Sequence, residues 1–339
     1  MQLLALLALL AAPGWAEQLE DGEPGASTCP LDGVGTDGSH AARNPLAVMV
    51  ENHPAARPQS GLDKACLVYE TVVEGGITRF MAVFVHGDAE VVGPVRSTRQ
   101  VFASLAKAWD AFLAHCWAKP SGYDTIKRLR VRNMDVVGKN RRKIKRWREK
   151  SRKRPHNLYL STSQLRRAAD KAYARKGGNR PLAPVFEFRD DTPREERPSG
   201  GKLRLRYSTR KYNPTFTYDP ESNDYERRLG RRPHRMTDHP KRAKGELELR
   251  PRNILVLTTR FRRMKGAKNP RVLNIRTVGS GKASVFSEGR RTDGRWIRAR
   301  EGDSWRIVDN AGEPIPLVRG QVWVSIVNGK RRIKWEPAE

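Results

Sequence analysis

Three arginines and Glu74 in EGGITRFMAVFVHGDAEVVGPVRSTR, residues 74 to 99, have the types and spacing to hold an anion. Glu74 and Arg79 flank the pair Gly75 and Gly76, while Arg96 and Arg99 bracket Ser97 and Thr98 just after Gly93 and Pro94. A guanidinium stays charged and presents a planar fork of donors that matches carboxylate and phosphate oxygens. The residues after Thr98 predict a helix, whose first turn adds unpaired N–H groups and the positive end of a dipole. Ser97 or Thr98 is the expected cap. Arg79, Arg96, Ser97 and Arg99 therefore form a candidate anion site. The alternative is local pairing, Glu74 with Arg79 across the turn, and Arg96 and Arg99 with nearby carboxylates or water. Glu74 could also serve as a base or a metal ligand in a cleft.

A second set of residues carries titratable or donor groups. His156 and Asn157 in RPHNLY, and His53 and Arg57 in NHPAARP, could bind phosphate or transfer protons. The competing role is structural, with the imidazoles held by backbone hydrogen bonds. His156 joins Glu74 as a candidate acid–base residue; His53, Arg57 and Asn157 join the candidate ligand-binding set. His234 and Asp238, four residues apart in RPHRMTD, could form a histidine–carboxylate pair or an exposed loop pair. No HExxH, nucleophile elbow, Walker or dinucleotide glycine pattern is evident. Cys29, Cys66 and Cys116 are spaced for no zinc site and allow at most one internal disulfide. The sequence specifies no cofactor.

These residues must be positioned by strands. NPLAVMVEN, ACLVYETVV and RFMAVFVHG are short runs rich in β-branched and apolar residues, and AEVVGPV is a further expected strand. Gly75 and Gly76 suit a turn or bulge. STRQVFASLAKAWDAFL has apolar residues at helical spacing, AFLAHCWA reads as a strand, and GYDTIKRLRV and STSQLRRAADKAYARK as helices. The alternation predicts an α+β or α/β N-terminal domain with a mixed sheet over residues 44–186. Residues 187–203 are rich in Pro, Gly and charge and read as a linker or long loop. Beyond them, repeated strand and turn signals predict a mostly antiparallel β domain over residues 204–330.

The 339 residues carry a net charge of +29, so polyanions should concentrate around the protein. With 37% apolar residues the chain can bury cores, which excludes a disordered polyelectrolyte. Residues 127 to 154 hold fifteen Lys and Arg, a solvated segment or a polyanion-binding arm with Trp147 as an anchor. The N-terminus has an apolar run from Leu3 to Ala12, then Pro13, with Gly14 and Ala16 before a possible cut. Residues 1–16 read as a secretory signal peptide, too short to span a bilayer, and residues 17–43 as a flexible leader. The expected location is extracytoplasmic, secreted or periplasmic, with no transmembrane anchor. Cys29 lies too far from the apolar run to be a lipidation cysteine, so lipid anchoring is not expected.

NHPAARPQSGL, VYETVVEGGITRFMAVF, GPVRSTR, RPHNLY and the later RPHRMTD, NILVL, VGSGKASVFSEGRRTDGRWIR and GQVWVSIV resemble the YerB family of bacterial extracytoplasmic proteins, often lipoproteins. The resemblance runs from about Pro45 to Val327. It implies an N-terminal and a C-terminal domain of unknown function and an extracytoplasmic location, but no reaction. The missing lipidation cysteine and the unusually basic 127–154 segment depart from the family pattern. In layout, two strands joined by a tight turn and an arginine-bearing turn before a helix are similar to the core of the LytR–CpsA–Psr phosphotransferases, which hold a polyprenyl pyrophosphate with arginines; a likeness of layout does not establish function. The expected function is binding of an anionic or phosphate-bearing envelope component. The alternatives are an envelope phosphotransferase or hydrolase acting on a lipid-linked or wall-polymer substrate, or a scaffold for other envelope proteins. Nothing points to a specific nucleic-acid module.

Overall fold

Strands that are apolar on both faces must be covered on both sides. The runs at residues 46–51, 67–72 and 78–84 meet that condition in the middle of a ten-stranded mixed sheet. The computed structural model describes residues 26–138, 141–174, 182, 184–241, 246–264, 272–329 and 332–338. The expected signal peptide lies outside the described residues, as does the leader up to residue 25.

The N-terminal half supplies β1 (Ala26–Thr28), β2 (Gly35–Asp37), α1 (Gly38–Ala41), β3 (Leu46–Glu51), β4 (Leu67–Val72) and β5 (Thr78–Phe84). It continues with α2 (Gln100–Ala108), β6 (Phe112–His115), α3 (Pro120–Arg128), β7 (Arg132–Asp135), β8 (Arg146–Arg148), β9 (Leu158–Leu160) and α4 (Thr162–Tyr173). The described elements beyond α4 are strands and single 3-10 turns. The strands are β10 (Phe188–Arg189), β11 (Gly201–Leu205), β12 (Pro214–Asp219), β13 (Asp224–Leu229), β14 (Arg232–Pro233), β15 (Arg235–Met236), β16 (Leu247–Glu248), β17 (Asn253–Thr259), β18 (Phe261–Arg263) and β19 (Leu273–Ile275). The last are β20 (Gly279–Ser287), β21 (Arg290–Arg298), β22 (Arg306–Val308), β23 (Leu317–Val318), β24 (Val322–Asn328) and β25 (Ile333–Pro337).

The large sheet has the order β22-β21-β20-β17-β24-β4-β5-β3-β6-β7. Its two halves join where β24 runs parallel to β4, with Val322 opposite Leu67 and Ser325 opposite Glu70. The two sequence halves therefore share one sheet, and the 187–203 segment separates them only along the chain. A second, five-stranded antiparallel sheet has the order β14-β13-β12-β11-β25. The fold is α+β, with a large mixed sheet and an antiparallel sheet near the C-terminus.

Side-chain alternation divides the interior into two layers. On one face Val48, Val68, Phe80 and Phe84 pack with Leu165 of α4 and with Leu203, Phe216 and Tyr225 of the antiparallel sheet. On the other face Met49, Tyr69, Met81 and Val83 pack with Phe102 and Leu105 of α2 and with Leu255 and Trp296.

Three local readings differ from the sequence expectation. AEVVGPV forms only isolated bridges, Ser60 to Gly93, Val92 to Leu160 and Val50 to Val95, because Pro94 cannot donate to a ladder. Residues 26–43, expected within a flexible leader, contain β1, β2 and α1, and bury Cys29 and Leu31 against the sheet. The basic 127–154 segment contains the edge strand β7 and the strand β8, which pairs with β9, and it buries Ile144.

Candidate functional site

β3, β4 and β6 point the same way and β5 runs against them, so one edge of the sheet gathers the ends of all four. That edge carries Glu51 at the end of β3, the Glu74–Arg79 turn between β4 and β5, and Cys116 and Trp117 after β6. In open sheets, ligands commonly sit beyond the carboxyl ends of parallel strands. Gly75 and Gly76 have φ of +73° and +74°, which glycine adopts without strain, and this closes the β4–β5 turn. The segment from Val95 to Arg99 crosses the same edge. Its Arg96 N–H donates to Met49 O, its Arg96 O accepts from Cys116 N–H, and its Thr98 N–H donates to Trp117 O.

Glu51 organises the arginines there. Its side chain is only 1% exposed. Arg96 Nε donates to Oε1 at 2.9 Å and His156 Nδ1 donates to Oε2 at 2.8 Å. The His156 ring stacks on His53 with centroids 4.7 Å apart. Burial, then the neighbouring His156, pushes the His53 pKa down. Arg99 grips Glu74 through Nε, 2.8 Å from both carboxylate oxygens, and through Nη2 at 2.7 Å. Burial raises the Glu74 pKa, but the Arg99 hydrogen bonds and charge outweigh it and the net shift is down.

Arg79 lies between these two pairs. It is opposite Glu51 in the β3–β5 register, is 4% exposed, and donates from Nη1 to Ser97 O at 2.9 Å. Its Nε is buried without a hydrogen-bond partner among the described residues. Burial, followed by the Arg99 charge, lowers its pKa to about 9. Three guanidiniums thus meet two carboxylates, each of which already pairs with another arginine.

The structure brings Glu74, Arg79, Arg96, Ser97, Arg99, His53 and His156 to this edge, with different partners from those the spacing suggested. Glu74 pairs with Arg99 instead of Arg79, because the two-glycine turn directs Arg79 inward. Ser97 contributes its carbonyl. The helix begins later than expected, with Arg99 at the N-cap position and no side-chain cap. Asn157 is a loop brace: its Nδ2 donates to Glu149 O and Arg152 O, and its Oδ1 accepts from Arg148. Arg57 points its Nε to Asn52 Oδ1 and its Nη2 to Asn52 O and Lys211 O. It lines a separate cavity of about 330 Å³ with Arg232, His234 and Arg235.

His234 does not pair with Asp238. It is buried between Gln59 Oε1, 2.9 Å from its Nε2, and Arg227. Arg227 Nη2 donates to Glu70 Oε2 at 2.8 Å, and both side chains are fully buried. Phe80, Phe216 and Trp323 surround the guanidinium, with Trp323 closest at 4.9 Å. Burial and the Arg227 charge hold His234 far below the usual histidine range, so it stays neutral.

Sequence reading missed Glu51, the final residue of an apolar strand with no motif around it. It also missed the rim. Trp117 is 64% exposed beside the arginine segment. Arg148 and Arg146, from the basic segment, lie close enough for their charge to lower the pKa of Cys116, although burial sets its net rise. A larger cavity of about 660 Å³ lies along the β20–β21 hairpin. Its lining carries Lys282, Arg291 and Arg295, with Arg291 paired to Asp293 and Arg295 donating to Ser280 Oγ. The spacing of the cysteines suggested no metal site, yet the fold places Cys29, Asp32, Cys66 and His86 together.

The fold and site define an α+β protein of two sequence-contiguous parts that share one sheet. Those parts match the models described as Protein of unknown function (DUF3048) N-terminal domain, over residues 31–175, and its C-terminal domain, over residues 203–324. The chain belongs to this family, the YerB-like proteins. It is 31% identical over 314 residues to "Putative lipoprotein YerB" of Bacillus subtilis (strain 168), covering 88% of this chain and 85% of the relative. The crystal structure of YerB protein from Bacillus subtilis aligns with a TM-score of 0.76 at 26% identity, covering 91% of this chain and 99% of that one.

Proposed function

We propose that this protein is an extracytoplasmic envelope protein that binds a phosphate-bearing, anionic envelope component at the Glu51 edge. The observation that carries the reading is Arg79, a buried guanidinium that has, among the described residues, an unpartnered Nε and no carboxylate of its own. An uncompensated buried charge is costly, and an anion bound at the edge would offset it. The Arg96 side chain uses only Nε in its described hydrogen bonds and is about a quarter exposed, so its terminal nitrogens can meet a phosphate. Trp117 offers a flat apolar surface beside them, suited to the non-phosphate part of such a ligand. Arg146 and Arg148 add long-range attraction.

The location rests on the apolar N-terminal run and on the lipoprotein description of the Bacillus relative. Among the described residues, no helix is long and apolar enough to cross a membrane. Lipid anchoring through Cys29 does not fit, because that side chain is 1% exposed inside the fold.

Calorimetric titration with inorganic pyrophosphate and with a short-chain polyprenyl pyrophosphate tests the reading. Both should bind, and Arg96→Ala and Arg99→Ala should weaken both. Binding unchanged in both variants overturns the site.

The His156–Glu51 pair favours one alternative, a hydrolase or phosphotransferase. A carboxylate on Nδ1 orients an imidazole to exchange a proton at Nε2. Glu74 suits this role less, since Arg99 keeps it ionised. Release of phosphate from the lipid-linked ligand, lost in His156→Ala, would establish turnover; binding without release would leave a binding protein.

A further inference from the structure

Cys29, Asp32, Cys66 and His86 come from three places in the chain. Cys29 and Asp32 lie in the turn between β1 and β2, Cys66 directly precedes β4, and His86 follows the end of β5. Their Sγ, carboxylate and imidazole atoms all lie within 4.8 Å of one another. Cys29 and Cys66 are each 1% exposed and Asp32 is 3% exposed, while His86 closes the solvent side. We infer that these four side chains form a closed tetrahedral zinc(II) site that fastens the N-terminal segment to the central sheet.

The donor set fits zinc. Two thiolates, one imidazole and one carboxylate are ligands that Zn²⁺ takes in four-coordinate structural sites. Zinc–sulfur bonds of about 2.3 Å and zinc–nitrogen or –oxygen bonds of about 2.0 Å give tetrahedron edges of about 3.3–3.8 Å. From the 4.8 Å limit the donors need draw in by no more than about 1–1.5 Å, while Asp32 Oδ2 and His86 Nε2, now 2.9 Å apart, separate slightly. Their supports are in place. Val85 N–H donates to Cys66 Sγ at 3.4 Å. Asp32 Oδ1 accepts from Val34 N–H at 3.3 Å, leaving Oδ2 toward His86 Nε2 at 2.9 Å. Backbone bonds fix the turn: Gly33 N–H to Cys29 O, Cys29 N–H to Val34 O, and Gly320 N–H to Asp32 O. Such outer contacts orient metal ligands. The Arg166 guanidinium donates to Asn44 O and Val85 O. Without a cation, three potential anions would share only protons and the His86 charge.

The test uses the purified chain, reduced, stripped with a chelator and titrated with zinc(II) and cobalt(II). One equivalent of zinc per chain should bind. The cobalt form should show tetrahedral d–d bands and a thiolate charge-transfer band. Zinc should protect Cys29 and Cys66 from alkylation while Cys116 still reacts. Cys66→Ser and the less intrusive His86→Ala should each lose at least about tenfold in affinity. Three results would overturn the inference. They are no stoichiometric zinc uptake, unchanged uptake in both variants, or recovery of a Cys29–Cys66 disulfide from reduced protein prepared with zinc present.

Discussion

His156 Nδ1 donates to Glu51 Oε2 at 2.8 Å, joining residues 105 positions apart at the end of a core strand. The same carboxylate holds Arg96 and faces Arg79 across the β3–β5 ladder. Removing it leaves Arg96 without its counter-charge and takes a neighbouring negative charge from Arg79. Glu51→Gln should lower stability by about 3 kcal/mol, the range found when one member of a buried ion pair is removed. His156→Ala removes one charged hydrogen bond and should cost about 1.5 kcal/mol. Urea unfolding of the two variants checks the order; a neutral Glu51→Gln would mean the carboxylate does not hold the edge together.

Ligand binding at that edge should separate into two electrostatic parts. Arg146→Ala and Arg148→Ala should mainly slow association and reduce its salt dependence, since exposed charges act over about a Debye length of 8 Å at physiological salt. Arg96→Ala should instead speed dissociation and weaken pyrophosphate binding at least about tenfold, because a charge-assisted bond contributes about 1.5–3 kcal/mol. Stopped-flow rates at two salt concentrations distinguish these effects. Equal changes in both rates for all three variants would refute the division.

The fully buried Glu70–Arg227 pair couples the two sheets through β4 and β13. Arg227→Met alone should destabilise by about 3–5 kcal/mol, because it strands Glu70 with one oxygen already unpartnered. Glu70→Gln combined with Arg227→Met should recover much of that loss, since no charge remains unpaired. A double-mutant cycle in urea gives the coupling, and additive losses would show that the pair is not an energetic unit.

Stability should fall in two stages on acidification. His234 has a folded pKa well below 6.5, so below that pH the unfolded chain takes up a proton that the native state refuses. His115 and His53, also held low chiefly by burial, act in the same direction. Each such proton contributes up to about 1.4 kcal/mol per pH unit. Burial raises the Glu288 pKa, but hydrogen bonds from Arg189, Thr192 and Asn223 outweigh that effect and hold it at about 2. Its contribution is complete above pH 4.5 and disappears as pH falls through about 2. His234→Gln should flatten the first stage and Glu288→Gln the second. Chemical denaturation across the pH range measures both, and unaltered slopes would contradict the assignment.

Much of this protein is determined locally. The apolar runs at residues 46–51, 67–72 and 78–84 specify buried strands because each presents hydrophobic side chains to both faces. The spacing of Val101, Phe102 and Leu105 specifies the buried stripe of α2, and Phe216 and Tyr218 alternate as an antiparallel strand with one wet face requires. The two glycines fix the β4–β5 turn, so the neighbourhood of Glu74, Arg79, Arg96 and Arg99 follows from short-range pattern. Partner choice does not. Glu51 meets His156, Glu70 meets Arg227, and Cys29 meets Cys66 only because the β8–β9 loop, the antiparallel sheet and the β1–β2 turn pack against the central sheet. Those adjacencies arise from contacts between residues tens to hundreds of positions apart, which periodicity and local spacing do not encode. The tertiary structure alone decided that Arg79 lies buried with one charge too many and that the two sequence halves close one sheet.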